Sequence, residues 1–166
     1  MYDYVLQYGF DTESEKYIQS IKDYLKNNGI IDKERNWLPH ITIDLYNCKN
    51  QNEFIDKLDI IIEKINTFDV EFKNLNTCNN ETLYIEPYNK ENLMELKQYF
   101  NTELNNYMLE KRRERKYIPH ATLCTSDTLE KSIQLASEKF KPFVSTIKNI
   151  WVYNRDMELI KEYILR

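Results

Sequence analysis

Tyr117-Ile118-Pro119-His120-Ala121-Thr122-Leu123 (YIPHATL) and Trp37-Leu38-Pro39-His40-Ile41-Thr42-Ile43 (WLPHITI) contain the only two histidines of the chain. Both segments read aromatic, aliphatic, Pro-His-x-Thr, aliphatic. A 166-residue chain with four prolines does not fall into this frame twice by composition alone. Internal duplication accounts for it, because self-similarity within a chain marks one supersecondary unit used twice.

Residues i and i+2 of a strand share a face, so His40 projects with Thr42, and His120 with Thr122. Ile41, Ile43, Ala121 and Leu123 then turn into apolar packing. Each motif is a half-buried strand that aims a polar pair at a cleft, and the duplication sets the two histidines facing each other.

The rest of the chain arranges itself around these strands. The hydrophobic period predicts a strand over Tyr4–Phe10 and a helix from Thr12 to about Asn28, stopped at Gly29. The first motif strand runs Leu38–Tyr46, followed by a helix over Asn52–Ile65 and an extended segment Phe68–Leu75. Asn79-Asn80 is a turn signal. The order then repeats: a strand Thr82–Glu86, a helix Glu91–Leu109, the second motif strand Ile118–Thr125, and a helix capped by Asp127 that reaches Phe140. Val144–Tyr153 and Glu158–Leu165 form a hairpin turned at Asn154-Arg155-Asp156. The fold class expected is α+β: one bilobal domain over residues 1–166, with approximate halves 1–78 and 79–166 related by a pseudo-two-fold axis across a central cleft.

Composition narrows the function. Hydrophobic residues at 42% and charged residues at 30% suit a globular domain, and no apolar run approaches the ~18 residues of a membrane span. The first ten residues lack the pattern of a secretory signal. Three widely spaced cysteines form neither a disulfide framework nor a metal-binding pair, so a reducing cytoplasm is the expected compartment. A monomer is expected. Two glycines leave no room for a glycine-rich phosphate loop, so side chains must hold any phosphate. A net charge of -4 gives no global attraction to polyanions, which places any nucleic-acid contact on a local basic patch.

Two imidazoles across a cleft make an acid and a base near neutral pH. A phosphodiester or cyclic phosphodiester needs such a pair: one imidazole takes a proton from the attacking water or hydroxyl, and the other protonates the departing oxygen. The hydroxyls of Thr42 and Thr122 would donate to the non-bridging phosphoryl oxygens. A metal site built from the histidines with Asp44 or Asp32 is the weaker reading. The residue repeated in both frames is threonine, a poor ligand for zinc, so no metal and no cofactor is expected.

His40-Ile41-Thr42-Ile43 and His120-Ala121-Thr122-Leu123, half a chain apart within duplicated strand-helix units, resemble the twin motifs of the 2H phosphoesterase superfamily. That superfamily includes RNA 2',3'-cyclic phosphodiesterases and 2'-5' RNA ligase-like proteins. The segment TLYIEPYNKENLMELKQYF is similar to the strand and helix that open the family's second lobe, so the resemblance spans nearly the whole chain. It implies a metal-independent bilobal enzyme with His40 and His120 catalytic and Thr42 and Thr122 on phosphate. Thr125 departs from the bacterial ligase-like branch, which carries an arginine there. The expected activity is hydrolysis of a 2',3'-cyclic phosphate at an RNA end or in a small cyclic nucleotide. The alternatives are a 2'-5' RNA ligase or 2'-5' phosphodiesterase, and a non-catalytic module that binds RNA ends.

For the substrate, the run Glu110–Lys116 gathers five basic residues before the second motif, among them Arg113 and Arg115, which could take flanking phosphates. Arg35 is the corresponding cation before the first motif. A solvated helix end explains the run equally well. Trp37 and Tyr117, each three residues before a histidine, are the stacking candidates for a base, with Tyr8, Phe10, Tyr46, Tyr84 and Tyr153 further possibilities.

Overall fold

A computed structural model describes residues Met1–Arg166. Seven strands, β1 (Tyr4–Phe10), β2 (His40–Tyr46), β3 (Phe68–Cys78), β4 (Thr82–Pro87), β5 (Ala121–Thr125), β6 (Phe143–Asn154) and β7 (Leu159–Ile164), form one antiparallel sheet. Its order is β2-β1-β6-β3-β4-β5, with β7 on β6. Four helices complete the chain: α1 (Thr12–Asn27), α2 (Gln51–Ile62), α3 (Glu91–Glu103) and α4 (Leu129–Lys139).

The strand order shows how the repeat is used. Each unit reads strand, helix, motif strand, helix, strand, yet each closing strand pairs with the other unit's first strand. β6 lies beside β1, and β3 lies beside β4. β3 and β6 then pair with each other through Phe68–Phe72 and Phe143–Ile147, where the pseudo-axis falls. The two sides of the sheet are therefore not the sequence halves 1–78 and 79–166. β3 belongs by chain order to the first unit and by hydrogen bonding to the second.

The helices are exchanged in the same way. α1 packs on α4 and β5. α2 and α3 are joined by the Lys57–Glu103 ion pair and by the Tyr99 hydroxyl donating to the Ile61 carbonyl, while Phe54 of α2 stacks on Tyr4 of β1. One continuous apolar core, including Ile18, Ile41, Phe54, Phe100 and Leu123, lies beneath both motif strands. Burying large side chains of this kind stabilises the fold by roughly 1.5–3 kcal/mol each.

Local signals explain the element ends. Asp11 caps α1, accepting from the Ser14 backbone N–H at 2.9 Å, and its carboxylate also takes the Ser145 hydroxyl and the Thr146 N–H of β6. Gly29 follows the helix at φ 85°, the left-handed conformation that favours glycine. Asn79 and Asn80, both at positive φ, turn β3 into β4. Gly9 sits opposite His40 in the ladder, and a Cβ there would meet the Trp151 ring at 2.8 Å.

Some boundaries differ from those read in the sequence. The helix expected over Glu91–Leu109 ends at Glu103 and continues as two 3-10 turns, Asn105–Tyr107 and Glu110–Arg112. Tertiary contacts pull this stretch off the helix axis: the Tyr107 carbonyl accepts from Asn47 N–H, the Tyr107 hydroxyl donates to Glu53, and Met108 bridges to Tyr46. Asp127 does not cap α4. Its carboxylate takes the Lys33 ammonium, and Ser126 Oγ accepts the Thr128 N–H instead. The motif strands begin at His40 and Ala121 rather than Leu38 and Ile118, because Pro39 and Pro119 have no N–H to give a ladder. No helix is long and apolar enough to cross a membrane.

Candidate active site

β2 and β5 are the outer strands of the sheet path, and the sheet curves until they approach one another. His40, Thr42, His120 and Thr122 are half-buried, and they alternate with fully buried Ile41, Ile43, Ala121 and Leu123. In both ladders the register skips one residue directly after the motif threonine. Leu6 and Gln7 pair with Asp44 and Thr42, passing over Ile43; Leu83 and Tyr84 pair with Cys124 and Thr122, passing over Leu123. Such a β-bulge re-aims the side chains that flank it.

The two imidazoles are anchored alike. His40 Nδ1 lies 2.8 Å from the Leu38 carbonyl, and His120 Nδ1 lies 2.7 Å from the Ile118 carbonyl. A carbonyl only accepts, so each Nδ1 carries the proton and each Nε2 is left for the cleft. The prolines make this possible. By delaying the ladder to the histidine, they leave the preceding carbonyl free for the ring. Thus the Pro-His pair, repeated in sequence, fixes a tautomer as well as a position.

All four motif side chains line one cavity of about 280 Å³, together with Lys22, Arg35, Trp37 and Arg112. A second cavity of about 320 Å³ shares Thr42, Arg112 and His120 and extends past Tyr84, Arg115 and Tyr117. The two cavities adjoin at Thr42, Arg112 and His120. Burial pushes the His40 imidazole down to about 4, helped by the nearby positive charges of Lys22 and His120, while the Leu38 carbonyl acts in the opposite direction without prevailing. His40 is thereby held neutral, the form that accepts a proton at Nε2.

The other residues singled out in the sequence distribute unevenly. Trp37 lines the first cavity, with its ring edge-on 5.0 Å from Tyr153 and 6.0 Å from His40. Tyr117 lines the second cavity and crosses to the opposite motif strand, where its hydroxyl donates to the Thr42 carbonyl at 3.0 Å. Burial raises its phenol well above the usual range. Arg115 lines the second cavity; Arg113 lines neither, its guanidinium being held by Asn105 and Glu110. Arg35 lines the first cavity while donating to the Arg155 carbonyl. Tyr84, itself buried, is tilted against His120 with ring centroids 5.0 Å apart, and Tyr8, Phe10 and Tyr46 are buried in the core.

Sequence reasoning missed a buried ionic cluster. Asp44, 2% exposed, accepts from Lys97 of α3 and from Arg112, and its carboxylate also takes the Leu45 N–H. A carboxylate so engaged is not a free metal ligand. Lys22 of α1 was missed too. The available signal was a lysine within an apolar stripe: Lys97 lies four residues after buried Leu93, and Lys22 four after buried Ile18.

An antiparallel sheet that closes two His-x-Thr strands over one cleft defines the 2H phosphoesterase class, and comparison with known proteins places the chain within it. The family model described as the 2'-5' RNA ligase superfamily matches residues 10–158. The chain belongs to that superfamily. Among solved structures, TT0787 of Thermus thermophilus superposes with a TM-score of 0.69 at 10% identity, over 99% of this chain and 98% of that one. E. coli LigT complexed with 3'-AMP gives 0.68 at 11% identity, also over 99% and 98%. LigT complexed with ATP gives 0.63 at 13% identity over the same shares. No curated protein sequence matches the chain.

Proposed function

We propose that the protein is a metal-independent phosphodiesterase that opens a 2',3'-cyclic phosphate at an RNA end or in a small cyclic nucleotide, working as a monomer in a reducing cytoplasm. The observation that carries this reading is the cavity lined by both motifs, with each imidazole anchored at Nδ1 so that Nε2 faces inward. His40, held neutral, takes a proton from water as the water oxygen bonds to phosphorus. The bond from phosphorus to one ribose oxygen breaks, and His120 gives that oxygen its proton, leaving a phosphomonoester. Thr42 and Thr122 donate to the non-bridging oxygens as charge builds on them.

LigT structures complexed with 3'-AMP and ATP support a nucleotide as the substrate's core. Trp37 supplies an aromatic face in the cavity beside His40, and a base stacked on it gains roughly 1–3 kcal/mol. Arg115 at the cleft rim suits a neighbouring phosphate.

The test is a panel of 2',3'-cyclic nucleotides, short RNAs with cyclic ends and 2'-5' linked dinucleotides, assayed with a chelator present. Turnover of the cyclic phosphates is the expected result. Turnover confined to the 2'-5' linkage assigns the same groups to reversible 2'-5' phosphodiester chemistry with a ribose hydroxyl in place of water. Binding of RNA ends without any turnover, undiminished in a His40→Ala/His120→Ala variant, makes the protein a binding module.

A further inference from the structure

The pseudo-two-fold axis invites a comparison one residue beyond each bulge. On β2 that residue is Asp44, which takes Lys97 from the other unit's first helix. On β5 it is Cys124, which has no charge to offer. The first helix of the other unit nevertheless sends a lysine there as well: Lys22 lies beside Cys124 in a groove behind the motif strand. Lys22 is half-buried and forms no ion pair, and it also lines the catalytic cavity with His40, His120 and both motif threonines.

The carboxylates nearest to Lys22 are engaged elsewhere. Asp32 accepts from the Thr125 and Glu34 backbone N–H groups, Glu34 accepts from the Thr125 hydroxyl, and Asp23 accepts from Gln19. The cavity's other cations are also tethered, Arg112 by Asp44 and Arg35 by the Arg155 carbonyl. Lys22 is therefore the cation left to meet an anion from solution. Burial of its ammonium lowers its proton affinity, and such a cost is offset by an incoming negative charge.

We propose that Lys22 is a phosphate-binding residue, its ammonium donating to a non-bridging oxygen of the phosphoryl group held between His40 and His120. This rests on the phosphodiesterase reading of the same cavity. Two neutral threonine hydroxyls can orient a phosphoryl group but cannot balance the negative charge that grows on it as water adds. A compact ammonium at the cavity wall does so. The same charge opposes protonation of His40, so one side chain serves both the substrate and the base.

The proposal is tested with Lys22→Met, which keeps the stem and removes the charge, and Lys22→Arg, which keeps the charge. Affinity for inorganic phosphate is read by titration, and kcat/KM for a 2',3'-cyclic nucleotide is read across pH. In Lys22→Met, phosphate affinity and kcat/KM should each fall about 10- to 100-fold, the magnitude of one lost charge-assisted hydrogen bond. The acid limb of the profile should move up, because burial of His40 remains but one of the charges opposing its protonation is gone, and the other groups around it, namely Glu34, Arg35, Arg112 and His120, are unchanged. Lys22→Arg should recover most of both losses. Unchanged phosphate affinity in Lys22→Met overturns the proposal, as does an arginine variant no better than the methionine one. Phosphate titration reads Lys22 even if no cyclic phosphate is turned over, so the residue and the reaction fail or stand separately.

Discussion

Asp44 on β2 and Cys124 on β5 occupy the same place after the same bulge, yet one is clamped by Lys97 and Arg112 and the other packs in the core against α4. The two strands share everything the backbone controls: the Pro-His entry, the Nδ1 bond to the carbonyl two residues back, the alternation and the skipped residue. They differ in the charges that surround that backbone. Shared geometry turns two Nε2 atoms toward one cavity, and in the proposed reaction the unshared surroundings would give the two imidazoles different work. A perfectly symmetric site would have two equal bases. Here burial, helped by Lys22, holds His40 neutral.

The strongest test of that comparison removes one histidine at a time. His40→Ala and His120→Ala should each lower kcat by about 10²–10⁴-fold. Equal losses show that both roles are needed, and full activity in either variant sinks the two-histidine mechanism. Next in size is the loss of one phosphate donor: Thr42→Val and Thr122→Val should each cost about 10²-fold in kcat, measured at saturating substrate.

Stability separates the two strands more sharply than activity. Asp44→Ala leaves Lys97 and Arg112 without their carboxylate in a mostly buried setting and should destabilise the fold by roughly 3 kcal/mol in urea unfolding. Cys124→Ala, at the matching position, removes no ionic partner and should cost less than half of that.

The pH profile sharpens the assignment of roles. Because His40 is held down to about 4, the base remains competent far below the ordinary imidazole range, and the acid limb of kcat/KM should fall near pH 4. A limb near pH 6.5 would show that burial does not hold the base down. The smallest effect lies away from the cleft. Asp11→Ala removes the α1 cap and its bonds to Ser145 and Thr146, and should lower stability by about 1–2 kcal/mol with kcat unchanged.

Much of this was legible in the sequence, for reasons that are local. Alternation is a property of one strand, so His40-x-Thr42 and His120-x-Thr122 announced their shared face before any partner strand was known. The helical periods of α1 and α2, the Gly29 stop and the Asn79-Asn80 turn are likewise written within a few residues of where they act. The 3-10 turns after Glu103 were not legible, because what bends them is β2 and α2, more than 40 residues away. Arg113 and Arg115 look alike in the basic run, and only folding shows Arg113 tied to Asn105 while Arg115 reaches the cleft.

By itself the sequence determined the repeated order of elements, the paired motifs and the chemistry that two imidazoles and two hydroxyls can perform. Tertiary structure decided the exchange of β3 and β6 between the units, the capture of Lys97 by Asp44 and the exposure of Lys22 to the cavity. The division has a physical cause. Side-chain direction along a strand follows from backbone stereochemistry a few residues long, whereas strand partners and ion pairs depend on which distant groups arrive beside them. Duplication copied the local rules into both halves, and the distant neighbours made the halves unequal.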